Sequence, residues 1–236
     1  MNERHLSERL LKVADFVPEG ANLADIGSDH AYLPTYLALH DATLTAIAGE
    51  VNEGPYQSAV MQVKRSELTD RIKVRKGDGL NVIEVEDQIN VISIAGMGGA
   101  LIQTILEQGK DKLGAVERLI LQPNVGAIFI REWLSQNGWV LIDEAILEED
   151  EKIYEVLVAE KGTDQFLYKE QREAKLLLGP FLMKQCSAIF KKKWGHELKH
   201  WQQILKRLET AKETESNEQR KKELEQKILI TKEALS

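Results

Sequence analysis

Seven short apolar runs, most of them separated by stretches of helical periodicity, occupy residues 22–159 of this 236-residue chain. The runs are Asn22–Ile26, Thr43–Gly49, Ile72–Arg75, Val91–Ala95, Arg118–Gln122, Trp139–Ala145 and Tyr154–Ala159. The stretches between them that predict helices are 33–40, 54–66, 99–106 and 126–137. Strands that alternate with helices form βαβ units on a mainly parallel sheet, so this rhythm predicts an α/β fold.

Both ends of this pattern depart from the alternation. Apolar residues at helical spacing predict a further helix over 3–17, before the first strand. The last two runs have no helix between them, which predicts a hairpin with its turn within 148–152. A hairpin at this point would place an antiparallel pair at the edge of the sheet.

After Gly162 the strand signal ends and heptad spacing takes its place. The apolar positions of the first heptad stretch are Trp194, Leu198, Trp201, Leu205 and Leu208, and those of the second are Leu224, Ile228, Thr231 and Leu235. The polar segment 213–219 separates them. This pattern predicts two helices that pack as a short antiparallel coiled coil. We therefore expect one domain over 1–162 and a helical domain over 163–236.

The charge of the chain is divided unevenly between these two parts. From Thr163 onward there are 16 Lys and Arg against 11 Asp and Glu, while residues 1–162 hold 15 against 27. Such asymmetry suggests that the two parts meet different partners. The basic clusters of the helical part are Lys191, Lys192, Lys193 and Arg220, Lys221, Lys222, and they predict contact with nucleic-acid phosphates. A solvated, lysine-rich helical appendage is equally consistent with the composition.

Several classes of protein are disfavoured by what the sequence lacks. No apolar run reaches the roughly 18 residues that cross a bilayer, and the first residues predict no signal peptide. A single cysteine, Cys186, excludes an internal disulfide framework and favours the cytoplasm. The segment His196–His200 matches the H-E-x-x-H pattern of zinc proteases, but it lies on a charged helix without an obvious third ligand. We expect no metal site.

The segment 23–34, LADIGSDHAYLP, carries the most chemical information. It brings a buried strand into a turn at Gly27 and then into a helix, the place where α/β sheets bind ligands. The dinucleotide fingerprint needs three glycines, and this turn has one. Asp25, Asp29 and His30 surround it instead. Carboxylates suit a cofactor with a cationic amino acid better than a pyrophosphate, which indicates S-adenosylmethionine.

Two further acids follow the next two strands. Glu50 ends the second strand and is placed to accept hydrogen bonds from ribose hydroxyls. Asp78, which precedes Gly79 after the third strand, is placed to accept one from the adenine amino group. Each acid taken alone is also consistent with a solvated loop carboxylate. Acids at three consecutive strand ends, beside glycines, predict a nucleotide-type cofactor.

At this point the sequence resembles the bacterial tRNA adenine-N1-methyltransferases that modify position 22. The resemblance covers essentially the whole chain and is carried by LADIGSDHAYLP at 23–34, EVNEGP at 50–55, KGDGL at 76–80, SIAGMGG at 93–99 and LILQPN at 119–124. It implies a class I Rossmann-like methyltransferase domain with a C-terminal coiled-coil domain, S-adenosylmethionine as cofactor and tRNA as partner. Ala31 departs from the glycine expected there, and Glu50 stands where some relatives carry Asp.

The same resemblance implies roles for further residues. Ala95, Gly96 and Met97 would face the cofactor, and Gly98, Gly99 and Asn124 would face the target base. The glycine-rich loop 95–99 is expected to be a flexible turn that opens a helix, although such a loop is also consistent with a simple tight turn. Asp29 is the candidate for stabilising the cationic methylated ring, although holding the cofactor ammonium or the loop itself is a competing role. His30 either orients these groups or is purely structural. Because N1 lies on the Watson–Crick edge, the base must first be unpaired or extruded.

Other functions remain open from the sequence. A methyltransferase acting on a small molecule or another RNA would share the cofactor motifs. A dinucleotide-dependent oxidoreductase would share the α/β rhythm, although the glycine fingerprint is absent. A non-catalytic RNA- or partner-binding module would use only the helical part. Heptads serve pairing within and between chains equally well, so we expect a monomer or a weak dimer.

Overall fold

The computed structural model describes residues 5–163, 166–210 and 214–235. The chain forms two compact units, Met1–Asp164 and Gln165–Ser236. The first contains all the strands found in the described part of the chain, and the second is helical. The division falls close to the predicted boundary at Gly162.

A seven-stranded sheet forms the centre of the first unit. Its strands are β1 (Asn22–Ile26), β2 (Thr45–Glu50), β3 (Ile72–Lys76), β4 (Val91–Gly98), β5 (Arg118–Val125), β6 (Trp139–Glu149) and β7 (Lys152–Lys161). They lie in the order β3-β2-β1-β4-β5-β7-β6. The first five strands are mutually parallel, while β7 is antiparallel to both of its neighbours. This arrangement confirms the predicted α/β class and is Rossmann-like.

Five α-helices accompany these strands. They are α1 (Glu8–Ala14), α2 (Tyr32–His40), α3 (Glu53–Arg65), α4 (Gly99–Gln108) and α5 (Ala127–Gln136). The last four agree closely with the predicted stretches. α1 is shorter than the predicted helix over 3–17, because Ser7 caps its start by accepting a hydrogen bond from the Leu10 amide. Residues 3 and 4 of that prediction lie outside the described residues.

The predicted hairpin is present, with its turn between Glu149 and Lys152. It is β7, and not β6, that pairs with β5, so β6 lies at the edge of the sheet. The burial pattern explains this order, because Glu155–Ala159 is continuously buried whereas β6 is mostly half-buried. Buried Arg131 of α5 fixes the hairpin by donating to Glu144 and Glu155, each at 2.6 Å.

Parallel strands bring their carboxyl ends to one edge of a sheet, and here β1 to β5 do so together. Fully buried apolar side chains hold these strands in place, among them Leu23, Ile92, Ile94 and Leu119. A rigid core beneath this edge fixes the residues that follow each strand. The candidate site lies at this edge.

The second unit consists of four helices within its described residues: α6 (Arg172–Leu178), α7 (Pro180–Gln185), α8 (Ala188–Glu209) and α9 (Glu215–Leu235). α8 and α9 pack against each other. Predicted seam residues are buried on both helices, including Trp194, Leu224, Ile228 and Thr231. The helical character is confirmed, whereas coiled-coil geometry stays a prediction. Residue 213 of the predicted polar segment lies outside the described residues, together with residues 211 and 212 before it. No helix in the described ranges is long and apolar enough to cross a membrane.

Candidate cofactor and substrate site

A cleft of about 410 Å³ opens at the carboxyl ends of β1, β2 and β4. Seven of the predicted site residues line it: Asp25, Gly27, Asp29, Glu50, Ala95, Gly96 and Met97. Residues that the sequence analysis did not single out complete the wall, namely Arg9, Leu10, Ser28, Leu33, Val51, Asn52 and Leu101. The acids predicted at the ends of β1 and β2 therefore share one cleft, and an N-terminal helix adds to its wall.

Asp25, the next-to-last residue of β1, is buried at the base of the cleft and is 4% exposed. Its two carboxylate oxygens accept hydrogen bonds from the hydroxyls of Ser28 at 2.6 Å and Ser93 at 2.7 Å. Burial raises the pKa of this carboxyl, the two hydroxyls lower it, and the charge of Glu50 raises it further. Asp25 therefore ties the turn after β1 to the neighbouring strand β4.

The turn at Gly27 is held against the end of β2. The amides of Gly27 and Ser28 both donate to the Gly49 carbonyl, at 2.9 and 3.0 Å. Gly27 has φ +71°, and a Cβ here would overlap the methyl group of Met97. Glycine is required at this position because the backbone is left-handed and the neighbouring side chain fills the space.

The three residues that follow this turn share a strained backbone. Asp29, His30 and Ala31 have φ values of 24°, 63° and 53°. The positive φ gives a physical reason for the glycine that the family resemblance implied at position 31. Asp29 is exposed and contacts His30 Nδ1 at 2.7 Å, and the His30 ring stacks on Tyr32 with centroids 5.2 Å apart. Asp29 lines the cleft, whereas His30 lies outside its lining.

Glu50, the last residue of β2, is 6% exposed. Its Oε1 accepts hydrogen bonds from the amides of Val51 and Asn52, both at 2.9 Å. Glu50 lines the cleft, and among the described residues no hydrogen bond is made to its other oxygen, Oε2. Asp78 and Gly79 follow β3 but do not line the cleft. They are connected to it through Gly77, whose amide donates to the Glu50 carbonyl at 3.0 Å.

Residues 95–99 were predicted as a flexible turn that opens a helix. A helix does begin at Gly99, but the prediction of a turn was wrong. The structure continues β4 through Gly98 and pairs Met97 with Pro123, with register shifts on either side. Gly96 has φ +79°, which allows the bulged strand to pass this point. A Cβ on Gly99 would overlap the Gly126 carbonyl oxygen, so the starts of α4 and α5 approach at backbone distance.

Gln122 and Asn124 of β5 hold this bulge. The fully buried Gln122 side chain accepts hydrogen bonds from the Gly96 amide at 2.9 Å and from Arg9 Nη1. Asn124 is exposed and donates from Nδ2 to the Gly96 carbonyl at 2.7 Å. The structure thus brings Asn124 to the predicted base-side loop, although neither Asn124 nor Gly98 and Gly99 line the cleft itself.

Comparisons with known proteins agree with this geometry. The sequence model of the tRNA (adenine(22)-N(1))-methyltransferase family matches residues 23–233. The enzyme of that name from Bacillus subtilis is 53% identical over 100% of this chain and 99% of the relative. A crystal structure of the B. subtilis enzyme has a TM-score of 0.93 at 51% identity, over 99% of this chain and 100% of that one.

The chain belongs to the tRNA (adenine(22)-N(1))-methyltransferase family. A further member is a Streptococcus pneumoniae protein described as a putative enzyme of this specificity and solved in complex with S-adenosyl-L-methionine. It is 44% identical, with a TM-score of 0.87 over 98% of this chain and 100% of that chain. The family resemblance inferred from the five sequence segments is therefore confirmed.

In this family member, the basic residues of the helical unit lie on its two long helices. Lys191, Lys192 and Arg220 are exposed. Lys193 is half-buried, with its ammonium 5.0 Å from the centroid of the Trp194 ring. Lys221 is half-buried and Lys222 is exposed.

The H-E-x-x-H segment does not form a metal centre in the part of the chain that the structure describes. No group of three or more His, Cys, Asp or Glu side chains that could hold a metal ion occurs there. His196 and His200 are exposed on α8. The segment is explained by a solvated helix face.

Ser28 and Arg9 line the cleft but were not predicted from the sequence. They differ in whether a local sequence pattern could have indicated them. Ser28 stands three residues after Asp25, and a hydroxyl at this spacing often bonds a nearby carboxylate. Arg9 belongs to a helix outside the βαβ rhythm and reaches Gln122, 113 residues later in the chain. No local pattern indicates such a contact.

Proposed function

We propose that this protein transfers a methyl group from S-adenosylmethionine to N1 of the adenine at position 22 of tRNA. Family membership over the whole chain confirms the predicted tRNA methyltransferase over the oxidoreductase, the small-molecule enzyme and the non-catalytic module. The observation that carries the proposal is the cleft at the ends of β1, β2 and β4, where buried carboxylates meet a glycine turn.

The residues of the cleft fit S-adenosylmethionine in chemistry. Glu50 keeps its Oε2 for the ribose hydroxyls, since Oε1 is occupied by two backbone amides. The turn at Gly27, held by buried Asp25, lets the backbone approach the amino-acid part of the cofactor. Asp78 and Gly79 serve the adenine end. Acidic and backbone groups of this kind favour a cofactor with a cationic amino acid over a dinucleotide with a pyrophosphate.

When bound, the cofactor supplies an electrophilic sulfonium methyl group. Adenine N1 carries an in-plane lone pair at neutral pH, so the protein must align the base rather than deprotonate it. Asn124, held by the Gly96 carbonyl, has a carboxamide oxygen that can accept from the exocyclic amino group beside N1. Gly98 has open space where a Cβ would stand, which leaves room for the flat ring, whereas Gly99 packs against the Gly126 backbone. Ala95, Gly96 and Met97 line the cleft proposed for the cofactor.

Methylation turns the adenine ring cationic, and the site has a group of opposite charge nearby. Asp29 is exposed at the cleft wall and is paired with His30. We assign Asp29 to the stabilisation of this charge, while the same carboxylate is also placed to hold the cofactor ammonium. His30 orients Asp29 through their contact at 2.7 Å.

The helical unit supplies the positive charge that binding to tRNA requires. Lys191, Lys192, Lys193, Arg220, Lys221 and Lys222 would contact phosphates. The first unit is acidic, so it needs such a partner to hold a polyanion. We also propose that the enzyme acts in the cytoplasm, where its tRNA substrate is made, and as a monomer or weak dimer.

The activity is tested by transfer of labelled methyl groups to unmodified tRNA, followed by nucleoside analysis. We expect 1-methyladenosine in the natural transcript and none in a transcript with guanosine at position 22. Cofactor binding without transfer to any tRNA would contradict the proposal and leave a small-molecule methyltransferase.

The role of the helical unit is tested by replacing Lys191, Lys192 and Lys193 together with Gln. We expect the tRNA KM to rise roughly tenfold and the salt dependence of log KM to become shallower by about 2. Replacing the exposed Lys169, Lys184 and Lys199 removes the same charge elsewhere in the unit and should have a smaller effect. Equal effects of the two triple variants would show that total charge matters and the cluster does not.

A further inference from the structure

Arg9 is the single cation among the described residues that line the cleft. Three carboxylates, those of Asp25, Asp29 and Glu50, share that lining. Arg9 comes from α1, which precedes the first strand and lies outside the alternating pattern of the fold. The three carboxylates of the cleft attract cationic groups of a ligand. A single arginine among them therefore indicates that the ligand also carries an anionic group.

The guanidinium of Arg9 is held in position by neutral groups. Nη1 donates to the carboxamide oxygen of the fully buried Gln122, and the guanidinium carbon lies 5.4 Å from the centroid of the Tyr154 ring. Arg9 is half-buried, and no carboxylate of the described residues forms an ion pair with it. A partly desolvated charge without a counter-ion is costly, and a bound anion would remove that cost.

The location of Arg9 along the cleft identifies the part of the ligand that it would meet. Through Gln122 it lies at the ends of β4 and β5, and Nη1 is 3.4 Å from the position that a Cβ on Gly96 would take. Glu50, assigned to the ribose, ends β2 on the opposite side of β1. A cofactor whose ribose binds Glu50 and whose remainder crosses the turn at Gly27 would bring its amino-acid part to the Arg9 side of the same cleft.

We propose that Arg9 binds the carboxylate of the methionine part of S-adenosylmethionine, an inference that rests on the proposed function. The cofactor carries an ammonium, a sulfonium and one carboxylate. The acids of the cleft suit the two cationic groups, and Arg9 suits the single anionic group. A guanidinium binds a carboxylate with two parallel hydrogen bonds, so Arg9 can use its remaining donors while Nη1 stays on Gln122.

Arg9 would also link cofactor binding to the base side of the site. Its partner Gln122 accepts from the Gly96 amide, and Asn124 donates to the Gly96 carbonyl. An arginine fixed by the cofactor carboxylate therefore fixes the side chain that supports the base-side strand. In this respect Arg9 is a positioning residue as well as a binding residue.

The test compares two ligands, S-adenosylmethionine and its decarboxylated analogue, on the full-length protein by titration calorimetry. The wild-type protein should prefer the carboxylated ligand by about 10- to 100-fold, the effect expected of a charged hydrogen-bonded pair. In Arg9→Gln the affinity for S-adenosylmethionine should fall by that factor, while the analogue binds as well as before or more tightly. Arg9→Lys should restore part of the preference.

Lys12→Gln is the matched control, because Lys12 lies on the same helix, pairs with Asp15 and does not line the cleft. It should bind both ligands as the wild-type protein does. Binding of 5′-methylthioadenosine, which lacks the whole amino-acid part, should be the same in all variants and reports that the cleft is intact.

Three outcomes would overturn the proposal. In the first, Arg9→Gln keeps the wild-type preference for the carboxylated ligand. In the second, Arg9→Gln weakens the binding of both ligands and of 5′-methylthioadenosine equally, which would indicate a role through Gln122 alone. A rise in the tRNA KM with unchanged cofactor affinity would assign Arg9 to a tRNA phosphate. A wild-type protein that binds none of these ligands would contradict the proposed function itself, which is a separate result.

Discussion

The two sides of the cleft are built from different chemistry. On the cofactor side, at the ends of β1 and β2, the carboxylates of Asp25 and Glu50 are buried and already held by hydroxyls and amides. On the base side, at the ends of β4 and β5, neutral carboxamides of Gln122 and Asn124 hold a glycine-rich bulge. On the cofactor side the carboxylates are charged and are held in place before any cofactor binds. On the base side the two carboxamides are neutral, and their contacts with the Gly96 backbone set the shape of the bulge.

This difference matches what each side has to recognise. A cofactor with two cationic groups and ribose hydroxyls is bound by fixed acceptors, which lose little entropy when it arrives. The adenine is neutral until the methyl group arrives, so the neutral carboxamides can orient it without demanding a cation beforehand, and Asp29 is left to stabilise the charge that forms during the reaction. Substitutions on the two sides should therefore separate cofactor affinity from turnover.

The largest effect is expected on the base side. Asn124→Ala removes the carboxamide assigned to the base and should lower kcat about 100-fold, as the loss of one preorganised polar group typically does. The Kd for S-adenosylmethionine should stay within about twofold, as calorimetry would show. If cofactor affinity falls together with kcat, the two sides are not separable and the comparison fails.

On the cofactor side we expect a smaller effect, which changes the cofactor affinity and leaves kcat nearly unchanged. Glu50→Gln weakens an acceptor for the ribose hydroxyls and should raise the cofactor Kd about tenfold, with kcat at saturating cofactor nearly unchanged. Glu53→Gln is the matched control, because Glu53 pairs with Lys76 and does not line the cleft. An unchanged Kd in Glu50→Gln would remove this residue from the ribose site.

The smallest effect concerns stability. Burial raises the pKa of Asp25 above its unfolded value, so the folded protein binds a proton more readily than the unfolded chain. Ionised Asp25 therefore costs stability at neutral pH, and this cost is relieved as the pH falls through the raised pKa toward the unfolded value. Asp25→Asn should be more stable by about 1 kcal/mol at pH 7.

Denaturant unfolding of Asp25→Asn and the wild-type protein at several pH values measures this difference. The stability gap should narrow below neutral pH, and the variant should bind the cofactor more weakly. A variant that is less stable at every pH would show that the two serine hydroxyls compensate fully for the burial of the charge.

The sequence predicted those parts of the site that depend on order along the chain. The acids at the ends of β1 and β2, Asp25 and Glu50, line one cleft because parallel strands share an edge, whereas Asp78 after β3 does not line it. It missed Arg9 because the contact with Gln122 joins two elements that no repeat relates. It also took the glycines of Ala95–Gly98 for a turn, since strand pairing to Pro123 is a property of the assembled sheet.

The fold, like the site, could be predicted where it follows from local patterns along the chain, and not where it depends on contacts between distant segments. Apolar periodicity located the strands and most helices. The position of β7 between β5 and β6 depends instead on which of the last two strands buries both of its faces. The short helices α6 and α7 carried no periodic signal over their few residues.

The turn Asp29–Ala31 keeps three side-chain-bearing residues at positive φ, a conformation that each would leave if the surrounding structure permitted it. The cofactor cleft therefore borders a segment that its surroundings hold in an unfavourable backbone conformation, while the sheet beneath it is firmly packed. On warming, this turn should relax before the sheet melts. The protein would then lose its affinity for the cofactor while most of its fold persists, so heat inactivation would precede denaturation.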